Sequence, residues 1–115
     1  MKTTTKRVEK GWGHEDIVCN SELYCGKIMF IKAEKRASVH YHILKDETFK
    51  IIRGKLLLWY SETDEMDNYI ILNPGDSFHV KPGLRHQFLG LEDTEFIEFS
   101  TQDFPEDSIR LKKGD

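Results

Sequence analysis

The chain has 115 residues, a formal charge of −3 at neutral pH and a pI near 5.9. This length fits one domain over residues 1–115 with a single core. With 32% charged and 38% hydrophobic residues, the composition argues against disorder, and no Lys/Arg-dominated segment with interleaved aromatics marks a nucleic-acid partner.

The N-terminal MKTTTKRVEKGWG has no apolar core of a signal segment. No apolar run approaches the length of a membrane span, so the sequence predicts a cytoplasmic protein without membrane contact. Cys19 and Cys25 flank a turn at NSEL; with only two cysteines and no secretion signal, reduced structural thiols are expected.

A period of two runs along most of the chain. Strands are predicted at 17–19, 27–33, 38–43, 48–53, 55–60, 68–72, 77–80, 86–90 and 95–100, rich in Ile, Val, Phe and Tyr. Gly54, SETDEMD at 61–67, NPGD at 73–76, PGL at 82–84 and LED at 91–93 are the turn signals between them. Short strands at regular spacing predict an all-β sandwich or barrel. The C-terminal DFPEDSIRLKK is expected to form one helical turn or an edge strand.

The chemistry concentrates in VHYHILKDETFKIIRG, residues 39–54. Residues i and i+2 of a strand share a face, so His40 and His42 project together, and Glu47 opens the next strand beside them. Two imidazoles and a carboxylate are half of a metal site, and a catalytic metal needs about three or four protein ligands plus open positions. The stretch PGDSFHVKPGLRH offers His86 as a further ligand after a second turn.

These motifs resemble those of the cupins. The pattern G-x5-H-x-H-x(3,4)-E-x6-G falls on Glu34, His40, His42, Glu47 and Gly54. The pattern G-x5-P-x-G-x2-H-x3-N falls on Gly75, Lys81, Gly83, His86 and Gly90. Glu34, Lys81 and Gly90 depart from it at turn or framework positions, whereas His40, His42, Glu47 and His86 are all present. The resemblance implies a double-stranded β-helix, the jelly-roll barrel of this family, with one divalent metal ion held in its mouth by those four residues. Ligand type leaves Zn, Mn, Fe, Ni and Co open.

Within the cupins, Trp12-Gly13, Ile97-Glu98-Phe99 and the tail Glu106-Asp107-Ser108-Ile109-Arg110 resemble the cupin domain of type II mannose-6-phosphate isomerases. That domain commonly carries Gln where His40 stands here, and in the larger enzymes it is joined to a nucleotidyltransferase domain, which the resemblance does not cover. The resemblance implies metal-assisted isomerisation of a sugar or sugar phosphate. An iron-dependent dioxygenase and a non-catalytic sugar-binding module are the alternatives.

Glu98 and His79 are the candidates for proton transfer, and Lys81 and Arg85, flanking the turn before His86, the candidates for substrate binding. Trp12, Trp59, Tyr60 and Phe88 are read as core or interface and His14 as structural. A homodimer is expected, because apolar edge strands invite pairing and the Trp12 segment offers one.

Overall fold

The computed structural model describes residues 1–115 and contains eleven strands. These are β1 (Lys6–Lys10), β2 (Gly13–Asn20), β3 (Cys25–Ile31), β4 (Val39–His42), β5 (Glu47–Arg53), β6 (Leu56–Ser61), β7 (Asn68–Leu72), β8 (Ser77–Val80), β9 (Arg85–Gly90), β10 (Thr94–Ser100) and β11 (Ser108–Lys112). The C-terminal segment forms both a 3₁₀ turn at Pro105–Asp107 and strand β11. No helix is long and apolar enough to cross a membrane.

The strands form two antiparallel sheets, ordered β1-β2-β3-β10-β5-β8 and β11-β4-β9-β6-β7. Their inner faces pack together as a jelly roll. The alternation decides what is inside. In β3, Cys25, Lys27, Met29 and Ile31 are buried while Gly26, Ile28 and Phe30 between them are less so; in β10 the buried residues are Thr94, Phe96 and Glu98. The apolar end of the barrel is filled by residues including Ile31, Ile51, Leu56, Leu58, Leu72 and Val80. Phe49, Phe88 and Phe96 form an aromatic trio there, with centroids 4.7, 5.1 and 5.7 Å apart. Burying each such side chain is worth about 1.5–3 kcal/mol, so this end holds the two sheets in register beneath the polar end.

Two elements go beyond the sequence expectation. KRVEK holds a single apolar residue, yet it forms β1 by hairpin pairing with β2, Lys10 opposite Gly13. Strand β2 also runs over eight residues, longer than its apolar IVC. Both cysteines are free. Cys19 lies opposite Gly26 and Cys25 opposite Asn20, so the two thiols are offset by one position and face opposite sides of the sheet.

Candidate metal centre

The centre sits where the two sheets part at the polar end. Strand β4 carries His40 and His42, and His86 of β9 is the cross-strand partner of His40. The imidazole centroids lie 4.3 Å (His40–His86), 5.0 Å (His40–His42) and 5.8 Å (His42–His86) apart. One ring nitrogen from each histidine falls within 4.8 Å of the others. Glu47, the first residue of β5, reaches in from the opposite sheet, its Oε2 3.3 Å from His42 Nε2 and 3.8 Å from His86 Nε2.

Backbone carbonyls orient two of the rings. His86 Nδ1–H donates to the Leu84 carbonyl at 2.9 Å, and His40 Nδ1–H donates to the Ser38 carbonyl at 3.1 Å. A carbonyl only accepts, so each bond fixes the proton on Nδ1 and turns a bare Nε2 toward the centre. Burial, with the neighbouring imidazoles and Lys45 adding to it, pushes His40, His42 and His86 down to about 3. All three are therefore neutral at pH 7, the form that ligates a metal.

The residues fit a divalent cation. Glu47 Oε2 and His86 Nε2 are buried with no hydrogen-bond partner. Orphaned buried polar atoms are costly, and a cation between them would satisfy both. Glu47 shows the same strain: burial first, and then the charge of Glu98, push its carboxyl well above the usual carboxylate range, with Lys45 opposing.

Beside the histidines lies a network of buried charge. Lys45 Nζ donates to Asp103 Oδ1 at 2.9 Å and lies 3.0 Å from Glu98 Oε2 and 3.6 Å from Glu47 Oε1. Lys27 Nζ donates to Asp103 Oδ2 at 2.9 Å and lies 3.5 Å from Glu15 Oε1. Burial works against the charge on each lysine, but the surrounding carboxylates outweigh it and raise both pKa values. Asp103, against its own burial, is held down at about 2 by Lys45 and Lys27. Two lysines thus face four carboxylates, Glu15, Glu47, Glu98 and Asp103, and a divalent ion at the histidines would supply the missing positive charge.

Asp107 anchors the loop that presents Lys45. Its carboxylate accepts from the Leu44 N–H at 2.7 Å and the Lys45 N–H at 2.9 Å. Its Oδ2 also lies 3.9 Å from His42 Nδ1. The three histidines, Glu47 and the charged groups Lys27, Lys45, Glu15, Glu98 and Asp103 line a cavity of about 660 Å³, walled on other sides by Trp12, Phe49, Phe104 and the strand β11 residues Ser108 and Arg110.

Of the residues singled out in the sequence, His40, His42, Glu47, His86 and Glu98 line this cavity. His79, Lys81 and Arg85 do not. His79 follows inward-facing Phe78 and precedes buried Val80, so it points outward, 60% exposed, with Nε2 2.6 Å from Asp46 Oδ1. Lys81 pairs with Glu62 at 2.6 Å on the surface. Arg85 precedes His86 and therefore takes the other face, where it bonds Asp64 at 2.8 Å and covers the Tyr41 ring at 3.9 Å. Trp12 packs on the core and lines the cavity. His14 stacks on Phe30 at 5.2 Å.

Sequence reasoning gives Asp103 no role, sees Asp107 only as part of the C-terminal tail motif, and reads Lys27 and Lys45 among basic residues that are mostly solvated. The alternation of Cys25, Met29 and Ile31 does place Lys27 on the inner face. Lys45 lies in a four-residue loop with no period to read.

No protein-family model matches the chain, and no curated protein matches it. Solved structures do. CapF, the capsular polysaccharide assembling protein of Staphylococcus aureus, superposes with a TM-score of 0.80 at 17% identity, over 96% of this chain and 32% of its own. KdgF from Halomonas sp. gives 0.75 at 16% identity, over 90% of both chains. Oxalate decarboxylase from Bacillus subtilis gives 0.76 at 24% identity, over 93% of this chain and 30% of its own. The fold is that of the cupins. The chain spans about a third of the length of the CapF and oxalate decarboxylase chains and nearly all of KdgF.

Proposed function

We propose that this cupin-fold protein binds one divalent metal through His40, His42, Glu47 and His86 and isomerises a small sugar or sugar derivative. The observation that carries the proposal is the convergence of three neutral imidazoles and an orphaned Glu47 Oε2 beside the buried Lys45–Glu98 pair. When bound, the metal supplies Lewis acidity toward adjacent oxygens of a hydroxy-carbonyl compound.

The remaining roles belong to the chain itself. Glu98 is the cavity carboxylate assigned to take the proton from the hydroxyl-bearing carbon and return it to the former carbonyl carbon, while the hydroxyl proton passes to the former carbonyl oxygen. Lys45 and the Ser100 hydroxyl, which donates to Glu98 Oε2 at 3.2 Å, hold that carboxylate in place. A wall of lysines and carboxylates suits a polyol better than an apolar substrate. The structural likeness to a capsular polysaccharide assembling protein is compatible with sugar chemistry.

The test is exchange of a substrate α-proton with solvent deuterium across a panel of aldoses, ketoses and their phosphates. Exchange should vanish on chelation and return with added divalent metal. Glu98→Gln should abolish exchange while metal content stays at one per chain. Metal-loaded protein that exchanges no proton across the panel would overturn the isomerase. Oxygen uptake by the iron-loaded protein would then support a dioxygenase.

A further inference from the structure

The chain has five arginines. Four face an acid: Arg7 with Asp16 at 2.7 Å, Arg36 with Asp115 at 4.0 Å, Arg53 with Glu95 at 3.9 Å and Arg85 with Asp64 at 2.8 Å. Arg110 is the exception, and it lines the cavity. Its position is fixed by register. Arg110 of β11 is the cross-strand partner of His40, which is the partner of His86, which is the partner of Tyr60. Residues directly opposite in antiparallel strands share a face, with Cβ atoms about 5 Å apart. A free guanidinium therefore stands next in line to two of the histidines, on their side of the sheet.

The charge around it points the same way. The exposed rim of the cavity adds Lys10 and Lys113. The acid on that rim, Asp115, is engaged elsewhere, its Oδ2 accepting from the Arg36 N–H at 2.8 Å. Deeper in, Lys27 and Lys45 are each held by carboxylates. With a divalent ion in place the interior is balanced, and the uncompensated positive charge lies at the mouth around Arg110.

We propose that Arg110 forms an oxyanion subsite, binding a carboxylate or phosphate carried by the sugar whose other end meets the histidine centre. This rests on the metal-centred sugar site proposed above and names its substrate class as anionic. A guanidinium presents two parallel N–H donors that match either oxyanion, and Lys10 and Lys113 add long-range attraction.

The experiment uses cobalt(II)-loaded full-length protein, whose visible bands report the histidine centre independently of turnover. Calorimetry compares gluconate with glucitol and glucose 6-phosphate with glucose, in the wild type, Arg110→Gln and Arg110→Lys. The anion of at least one pair should bind about tenfold or more tighter than its neutral counterpart, and the pair that discriminates identifies carboxylate or phosphate. Arg110→Gln should erase that preference with cobalt bands and stoichiometry unchanged, and Arg110→Lys should keep part of it. Equal binding of anions and neutral sugars to wild type overturns the anionic subsite and leaves the metal-centred sugar site standing. A preference that survives Arg110→Gln removes the assignment to Arg110. Cobalt binding with no affinity for any of the four compounds defeats both proposals.

Discussion

Lys45 Nζ lies 3.0 Å from Glu98 Oε2, and both side chains are buried. The same ammonium stands 3.6 Å from Glu47 Oε1, so one cation couples the proposed proton-transfer carboxylate to the proposed metal-ligand carboxylate. Removing one partner of a buried ion pair leaves the other uncompensated, at a cost of about 3–5 kcal/mol. Lys45→Met should therefore lower stability by that amount in urea unfolding of the metal-free protein. Added divalent metal should recover part of the loss, because its charge replaces that of the ammonium beside Glu47. A variant as stable as the wild type would show that the network carries little of the fold's stability.

Single replacement of His42 or His86 by Ala should remove most bound metal after dialysis. Each takes one nitrogen from a cluster spanning no more than 4.8 Å. Metal stoichiometry by mass spectrometry of the dialysed protein measures this, and full occupancy in both variants would rule the site out. Buried His86→Ala also opens a cavity, so the exposed Lys81→Ala serves as a control that should keep its metal.

The metal-free protein should lose stability on acidification. His40, His42 and His86 sit at about 3 in the fold, against 6.5 for a free imidazole. Between those values the unfolded chain binds protons that the folded chain refuses, so stability falls as pH drops from 6.5 toward 3. Each histidine contributes at most about 1.4 kcal/mol per pH unit. Asp103, held at about 2 against 3.8, adds a loss of the same sign below pH 4. Glu47 works oppositely: its raised pKa makes its charged form unfavourable, so its contribution is lost as pH rises through the folded value. The histidines outnumber it, and thermal melts in chelator should fall steadily from pH 7 to pH 4. A flat profile over that range would contradict neutral imidazoles at His40, His42 and His86. Metal-loaded protein should release its ion over the same acid range as protons compete for the ligands.

Much of this architecture was legible because strand period and metal chemistry leave the same mark. The alternation rule put His40 and His42 on one face, and the resemblance to the cupin motifs implied that Glu47 and His86 join them. The same rule, applied to neighbours, removes His79 and Arg85: each stands next to a buried residue and so faces away from it. Lys81 was chosen for its place in the turn, where no alternation operates. Lys45 and Asp107 were hidden for a different reason. Their roles arise from contacts 62 and 63 residues apart in sequence, between a loop and the C-terminal 3₁₀ turn, and no local pattern encodes such a contact.

A homodimer should form through the outer face and edge of the smaller sheet. Strand β7 is an edge, and Tyr69 and Ile71 on it are 61% and 45% exposed. Their partners across β6 are Trp59 and Leu57, which extends the apolar surface inward from the edge. Trp12, read from the sequence as core or interface, is half-buried against the core. Light scattering at micromolar concentration should give twice the chain mass, and Ile71→Lys should reduce it to the monomer value. A monomeric wild type would contradict the dimer.

Two departures from the cupin motifs meet in space. Glu34 replaces the first motif's Gly and Gly90 the second motif's Asn, and the Glu34 N–H donates to the Gly90 carbonyl at 2.7 Å. Gly90 N–H in turn donates to the Lys35 carbonyl at 2.9 Å. Glu34 has φ = 68°, the left-handed region, which costs a non-glycine residue about 1–2 kcal/mol. A glycine there would relieve that strain but lose about 0.5–1 kcal/mol to its greater freedom when unfolded. Glu34→Gly should therefore leave stability unchanged or raise it by up to about 1.5 kcal/mol. Gly90 has the opposite constraint: a Cβ there would come within 2.6 Å of the Lys32 carbonyl oxygen, backbone of the same turn. Gly90→Ala should cost about 1–3 kcal/mol as the turn is pushed off the strand. Urea midpoints at constant m-value measure both. If Glu34→Gly is less stable than the wild type, the left-handed backbone at residue 34 carries no strain for glycine to relieve.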